Sequence, residues 1–218
     1  LTWLRSIFKT GNFTPNDIPN AAVRVREGEP MSEEVDRLLQ LALERGALRY
    51  GDFTLTSGKK SNYYFDGRIL SLDPEGAYLI SKSLLPILRQ AGVEAVGGPT
   101  LGADPIVASV ALSSYINETP MPAFIVRKEA KSHGTGKGVE GLLKSGSRVA
   151  IIDDTCTTGG SLFQAIEAAE GAGCTVVKVV AILDRREGGG DELLKRGYDF
   201  VALMEANSEG KIEVAPGM

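Results

Sequence analysis

Short, unbroken apolar runs rich in β-branched residues recur along the chain at Val93 to Val96, Ala123 to Val126, Val149 to Ile152, Val176 to Leu183 and Phe200 to Met204. Runs of this kind are the pattern of strands buried on both faces of a parallel sheet. Stretches with apolar residues three and four apart alternate with them. The clearest begins at Ser32, a good cap, with Glu33 and Glu34 in the first turn; Val35, Leu38, Leu39, Ala42 and Leu43 form one stripe, and Gly46 closes it. Asp73 caps and Pro74 starts a second helix, which carries Tyr78, Leu84, Leu85, Ile87 and Leu88 and ends at Gly92. Apolar helices follow in ADPIVASVALSSYI and SLFQAIEAAEGAG, with a short one around Leu193 and Leu194. The alternation predicts an α/β fold, a mostly parallel central sheet flanked by helices with right-handed crossovers. The run from Val149 is expected at its centre.

Before this series, Ala47 to Phe65 reads ALRYGDFTLTSGKKSNYYF, in which β-branched and aromatic residues flank Ser57-Gly58-Lys59-Lys60. It predicts a hairpin with a basic turn. With the first helix it makes a small N-terminal hood of about residues 31–70 on a domain spanning 31–218. Lys59 and Lys60 read first as solvated turn charges. Residues 1–30 contain Asn, Pro and Gly breakers and read as an extension. Trp3, Leu4, Ile7 and Phe8 have helical spacing there, so the extension either docks on the body or a neighbouring subunit, or frays.

Composition narrows the classes. Among 218 residues, 43% hydrophobic and 24% charged is the balance of a globular domain with a sizeable core. A net charge of −4 argues against a nucleic-acid surface as the main business. No apolar run approaches the ~20 residues needed to cross a bilayer, and no signal-peptide core opens the chain. Cys156 and Cys174 have no metal-ligand spacing and suggest no disulfide scaffold, so the cytoplasm is the expected compartment.

The chemistry concentrates after the central strand. Asp153 and Asp154 stand at its carboxyl end, and Thr155, Cys156, Thr157, Thr158, Gly159, Gly160 and Ser161 lead into a helix. Helix-start N–H groups and the helix dipole favour a dianion, the glycines allow close backbone approach, and Thr157, Thr158 and Ser161 add hydroxyl donors. A carboxylate pair beside a phosphate cradle repels the phosphate, so the acids suit a ribose diol or a metal. The two halves together suggest a sugar phosphate. A plain strand-to-helix turn with a cap shares much of this composition, but the order of two acids, hydroxyl residues, two glycines and a serine looks like the phosphoribosyl pyrophosphate signature of the phosphoribosyltransferases.

Three further segments support a site along the same sheet edge. Gly97, Gly98, Pro99, Thr100, Leu101 and Gly102 read as a second glycine-rich strand-to-helix loop, placed where ligands bind in open α/β sheets. Arg127 to Gly138 is long, polar and basic, holding Arg127, Lys128, Lys131, Lys137 and His133, the one histidine of the chain. It is either a solvated surface loop or a mobile flap that closes over a pyrophosphate. Arg185, after the strand that ends at Leu183, either grips a carboxylate or pairs with Asp184 or Glu187.

Over roughly residues 32–205 the chain resembles the orotate phosphoribosyltransferase family. DDTCTTGGS carries the wider phosphoribosyltransferase signature, FTLTSGKKSNYYFDGR resembles the hood of the orotate enzymes, and RKEAKSHGTGKGVEG resembles their catalytic loop. The resemblance implies a phosphoribosyltransferase-type, Rossmann-like sheet and transfer of 5-phosphoribosyl from phosphoribosyl pyrophosphate to N1 of orotate, giving orotidine 5′-phosphate and pyrophosphate in pyrimidine synthesis. It implies Asp153 and Asp154 on the ribose hydroxyls, Thr155 through Ser161 on the 5-phosphate, and Arg127, Lys128, Lys131 and His133 on the pyrophosphate. Thr157 and Arg185 match the positions that contact orotate, with Arg185 facing its carboxylate. It also implies magnesium held mainly through phosphoribosyl pyrophosphate rather than by a protein ligand set, and a homodimer with shared active sites. The lysine that several relatives carry before the hood Ser-Gly is Thr56 here, so Lys59 or Lys60 replaces that contact or it is missing. The alternatives are transfer to another nucleobase, against which Arg185 and the loop argue, and a non-catalytic regulator that senses a phosphoribosyl ligand, against which the acidic composition argues.

Overall fold

A computed structural model describes residues 32–54, 58–128 and 138–218. The elements run α1 (Ser32–Glu44), β1 (Leu48–Thr54), β2 (Lys60–Phe65), α2 (Gly67–Ser71), α3 (Pro74–Gln90), β3 (Ala95–Pro99), α4 (Ala103–Ile116), β4 (Ala123–Val126), β5 (Val139–Gly141), β6 (Arg148–Cys156), α5 (Gly160–Gly171), β7 (Thr175–Asp184), α6 (Gly189–Lys195), β8 (Phe200–Ala206) and β9 (Ile212–Val214). The main sheet has seven strands in the order β5-β4-β3-β6-β7-β8-β9, with β6 in the middle. Its inner pairs are parallel, and the short edge strands β5 and β9 run antiparallel to β4 and β8. A separate antiparallel pair, β1 with β2, makes the hood hairpin.

The apolar run of β6 is unbroken because both of its faces are covered. Ala150 and Ile152 pack in a core with α1, α3 and α4, while Val149 and Ile151 pack in a second core with α5. Each fully buried large aliphatic side chain contributes roughly 1.5–3 kcal/mol. Helix α3 starts as its cap dictates: the Asp73 carboxylate accepts from the N–H groups of Glu75 at 2.9 Å and Gly76 at 3.0 Å, and Pro74 stands in the first turn. Among the described residues no helix is long and apolar enough to cross a membrane.

The glycine-rich segment after Val96 differs from the sequence expectation. Gly97, Gly98 and Pro99 belong to strand β3, paired with Phe124, Ile125 and Val126 of β4, and the connection to α4 shrinks to Thr100, Leu101 and Gly102. Glycine serves close packing here. A Cβ on Gly97 would strike the Phe124 ring, and one on Gly98 would strike the Ile152 carbonyl oxygen. The acids also sit deeper than a strand end, since β6 continues to Cys156, paired with Asp184 of β7. Three elements had no counterpart in the sequence pattern: α2, five residues long, and β5 and β9, three residues each.

Candidate active site at the carboxyl edge of the sheet

The backbone of β6 delivers Asp153 and Asp154 to one end of the sheet. Asp153 is buried; its Oδ1 accepts from the Asp154 N–H at 2.9 Å, and its Oδ2 accepts from the Ser161 hydroxyl at 2.8 Å. Ser161, expected on a phosphate, therefore has its hydroxyl proton engaged by Asp153. The loop closes through Gly159, whose φ of +82° is the left-handed conformation that favours glycine. No side chain caps α5 after it. The N–H groups of its first turn lack intrahelical acceptors, and a Cβ added to Gly160 would point into open space.

A cavity of about 350 Å³ opens over the acids, lined by Asp153, Asp154 and Thr155, by Thr100 to Gly102, by Lys128, and by Arg68 from the start of α2. Both carboxylates face the same spot beside Gly102, where an added Cβ would lie 2.7 Å from Asp153 Oδ1 and 2.7 Å from Asp154 Oδ1. Burial, reinforced by the neighbouring Asp154 charge, pushes the Asp153 carboxyl up to about 7. Burial and the charge of Asp66 also raise Asp154, against the opposing pull of the Arg68 cation. Two crowded, desolvated acids of this kind gain from a cation or a set of hydroxyl donors laid over them. A larger cavity, about 500 Å³, lies between β5 and α5, and none of the described residues that line it is ionisable.

The family known as Phosphoribosyl transferase domain matches residues 103–203, which include both acids and the loop. Orotate phosphoribosyltransferase from Aquifex aeolicus is 41% identical over 175 residues, covering 79% of this chain and 95% of that protein. The enzyme of the same name from a Synechocystis species is 43% identical over 175 residues, covering 80% and 87%. The crystal structure of Mycobacterium tuberculosis orotate phosphoribosyltransferase in complex with 5-phospho-α-D-ribosyl 1-diphosphate superposes with a TM-score of 0.66 at 29% identity, covering 79% of this chain and 96% of that one. This chain belongs to the orotate phosphoribosyltransferase family.

Within this chain the basic segment is divided. Arg127 donates its backbone N–H to the Gly138 carbonyl at 2.8 Å, and its guanidinium lies 3.6 Å from Glu140 Oε1. The Lys128 carbonyl accepts from Gln164 of α5 at 2.8 Å, which holds this residue beside the acids. Lys131 and His133 lie outside the described residues, as does Thr56. Arg185 forms the ion pair with Glu187, 3.0 Å from Nε to Oε1, which engages one of its three guanidinium nitrogens. Lys59 is not a free turn charge, since its ammonium lies 2.6 Å from Glu187 Oε2; Lys60 donates instead to Thr54 at 2.7 Å across the hairpin.

The loop cysteine is a core residue. Cys156 is fully buried, its sulfur lies where a Cβ on Gly189 would come within 2.7 Å, and burial pushes its thiol up to about 12. A thiol so placed is neither ionised nor reachable at neutral pH. Cys156→Ala should therefore keep activity within about threefold and lose roughly 1–2 kcal/mol of stability from the small cavity. Matched kinetic and thermal measurements check it, and near-total loss of activity in a folded variant would refute it.

Sequence reasoning missed Arg68 and Asp66. Asp66 caps α2 by accepting from the Arg68 N–H at 3.1 Å, and holds the Arg68 guanidinium through Nε and Nη2, each at 2.9 Å. Gly67 between them has no room for a side chain, since a Cβ would lie 2.6 Å from Asp154 Cβ. The available signal was Asp-Gly-Arg directly after a strand, an arrangement that turns the chain toward whatever the strand end faces.

Proposed function

We propose that this chain transfers 5-phosphoribosyl from phosphoribosyl pyrophosphate to N1 of orotate, releasing pyrophosphate, in UMP biosynthesis. The observation that carries the reading is the acid doublet of β6, Asp153 buried and Asp154 half-buried, opening into a cavity beside the uncapped start of α5. Thr155 to Gly160 and the backbone N–H of Ser161, at the start of α5, receive the 5-phosphate, whose negative charge suits the positive end of the helix dipole. Asp153 and Asp154 accept from the ribose 2- and 3-hydroxyls, which fixes C1 for in-line attack. As the bond from C1 to the pyrophosphate oxygen breaks, its electron pair leaves with pyrophosphate, N1 forms the new bond to C1, and the proton that N1 gives up goes to the released pyrophosphate. Arg127 and Lys128, with Lys131 and His133 from the adjoining segment, place positive charge where the leaving group gains negative charge. The buried, protonated Cys156 leaves no thiolate nucleophile beside the acids, consistent with direct displacement.

Among the described residues no group of three or more His, Cys, Asp or Glu side chains is arranged to hold a metal ion. Two crowded carboxylates fit magnesium whose remaining ligands come from the substrate, so Asp153 and Asp154 would meet it on the ribose side. When bound, magnesium supplies Lewis-acid charge to the departing diphosphate. The reading places the protein in the cytoplasm as a homodimer with shared active sites, and the exposed Leu112, Tyr115 and Ile116 of α4 offer an apolar face to a second copy. The hood hairpin, within about residues 31–70, closes the acceptor side of the cleft.

The test is the fall in orotate absorbance on mixing protein, phosphoribosyl pyrophosphate and magnesium, with uracil, adenine and hypoxanthine as competing acceptors. Orotate should be consumed and the others ignored; turnover of another base, or none at all, would overturn the assignment. In the same assay Lys131→Ala should lower kcat by about 10²-fold, the scale of one lost transition-state charge contact. Unchanged turnover would remove Lys131 from the mechanism.

A further inference from the structure

Beyond the acid doublet, the hood turn and the end of β7 meet in one charged knot. Glu187 uses both carboxylate oxygens there: Oε1 accepts from Arg185 Nε at 3.0 Å, and Oε2 accepts from Lys59 Nζ at 2.6 Å. Arg185 and Glu187 lie after β7, whereas Lys59 comes from the hood turn, so this single carboxylate bridges the two parts of the fold. The Arg185 guanidinium lies over the Tyr63 ring, 4.6 Å from its centroid, and Nη2 reaches Ser61 Oγ at 3.4 Å. Its side chain is only 8% exposed.

These contacts hold the guanidinium along one edge and one face. Glu187 takes the Nε edge, the Tyr63 ring takes a face and Ser61 takes one N–H of Nη2, while Nη1 has no hydrogen-bond partner among the described residues. A planar guanidinium restrained in this way presents its terminal nitrogens as a fork matched to a carboxylate. Without Glu187 the side chain would keep its charge and lose its orientation.

We infer that Glu187 is a positioning residue for acceptor recognition: it sets the Arg185 fork that takes the acceptor carboxylate and ties the hood to the sheet through Lys59. The inference rests on the reading of Arg185 as facing that carboxylate. Glu187 touches no reacting atom, so its influence is confined to one substrate. Its contribution appears in the KM for orotate, not in the affinity for phosphoribosyl pyrophosphate or in bond breaking.

The experiment compares the parent chain with Glu187→Gln and Arg185→Ala, varying each substrate separately. Glu187→Gln should raise the KM for orotate about tenfold, the scale of one charge-assisted hydrogen bond, while kcat and the KM for phosphoribosyl pyrophosphate stay within about threefold. A variant that merely loosened the fold would move all three together. If Glu187→Gln fails to fold, Glu187→Asp, one methylene too short to bridge both cations, should show the same split. An unchanged KM for orotate in Glu187→Gln beside a raised one in Arg185→Ala would overturn the inference alone. An unchanged KM for orotate in Arg185→Ala would overturn the reading of Arg185 and the inference with it.

Discussion

Gly102→Ala should lower kcat/KM with orotate by on the order of 10³-fold while leaving the melting temperature within a few degrees of the parent. Gly102 adjoins α4 in an ordinary right-handed helical conformation, so the methyl group adds no backbone strain. Its whole cost is contact. The new Cβ would lie 2.7 Å from Oδ1 of both Asp153 and Asp154 and 2.9 Å from Asp154 Cγ. Neither acid retreats freely: Asp153 is pinned by the Ser161 hydroxyl and the Asp154 N–H, and a Cβ placed on Gly67 shows how tightly Asp154 is backed on its other side. Shifts of several tenths of an ångström at both carboxylates misplace the ribose relative to the pyrophosphate, and a misplacement of ~1 Å alone costs about 10²-fold. The two effects act on the same transition state and compound. Steady-state kinetics beside a thermal melt decides it, and near-parental activity in the folded variant would show that the acids do not position the sugar.

What was legible in the chain depended on whether the cause was local. The run Val149 to Ile152 announced a strand covered on both faces because burial on each side selects apolar residues at successive positions, and both cores are there. Asp73 and Pro74 announced the start of α3 because a cap acts within three residues. Gly97 and Gly98 misled because their reason lies elsewhere in the chain, in the Phe124 ring and the Ile152 carbonyl, and glycine composition alone reads as a loop. Strands β5 and β9 were invisible because three residues at a sheet edge carry no periodicity. In the site, the acid doublet and its loop were legible as a contiguous string. The Lys59 to Glu187 contact spans 128 positions, and Ser161 turns toward Asp153 only once β6 and α5 are set side by side.

The second large effect concerns stability. Gly98→Ala should destabilise the fold by on the order of 4 kcal/mol, above the usual cost of overpacking, against the 5–15 kcal/mol typical of whole domains. Gly98 lies in β3, fully enclosed between β4 and β6. A Cβ there would overlap the Ile152 carbonyl oxygen and lie 2.5 Å from Ala103 Cβ, the first residue of α4. A flexible side-chain tip could rotate away, but Ile152 is backbone in the middle strand and is fully buried between two cores. Relief then requires β3 to move from β6 or α4 to lift from the sheet, and either displaces Thr100 to Gly102 at the edge of the cleft. Gly97→Ala is the informative contrast, because its Cβ meets an aromatic side chain, which can turn at lower cost than a strand can shift. Urea unfolding of the three proteins should give a midpoint for Gly98→Ala far below both others with an unchanged slope. A loss under ~1 kcal/mol would mean that β3 and β6 are not packed at the separation described.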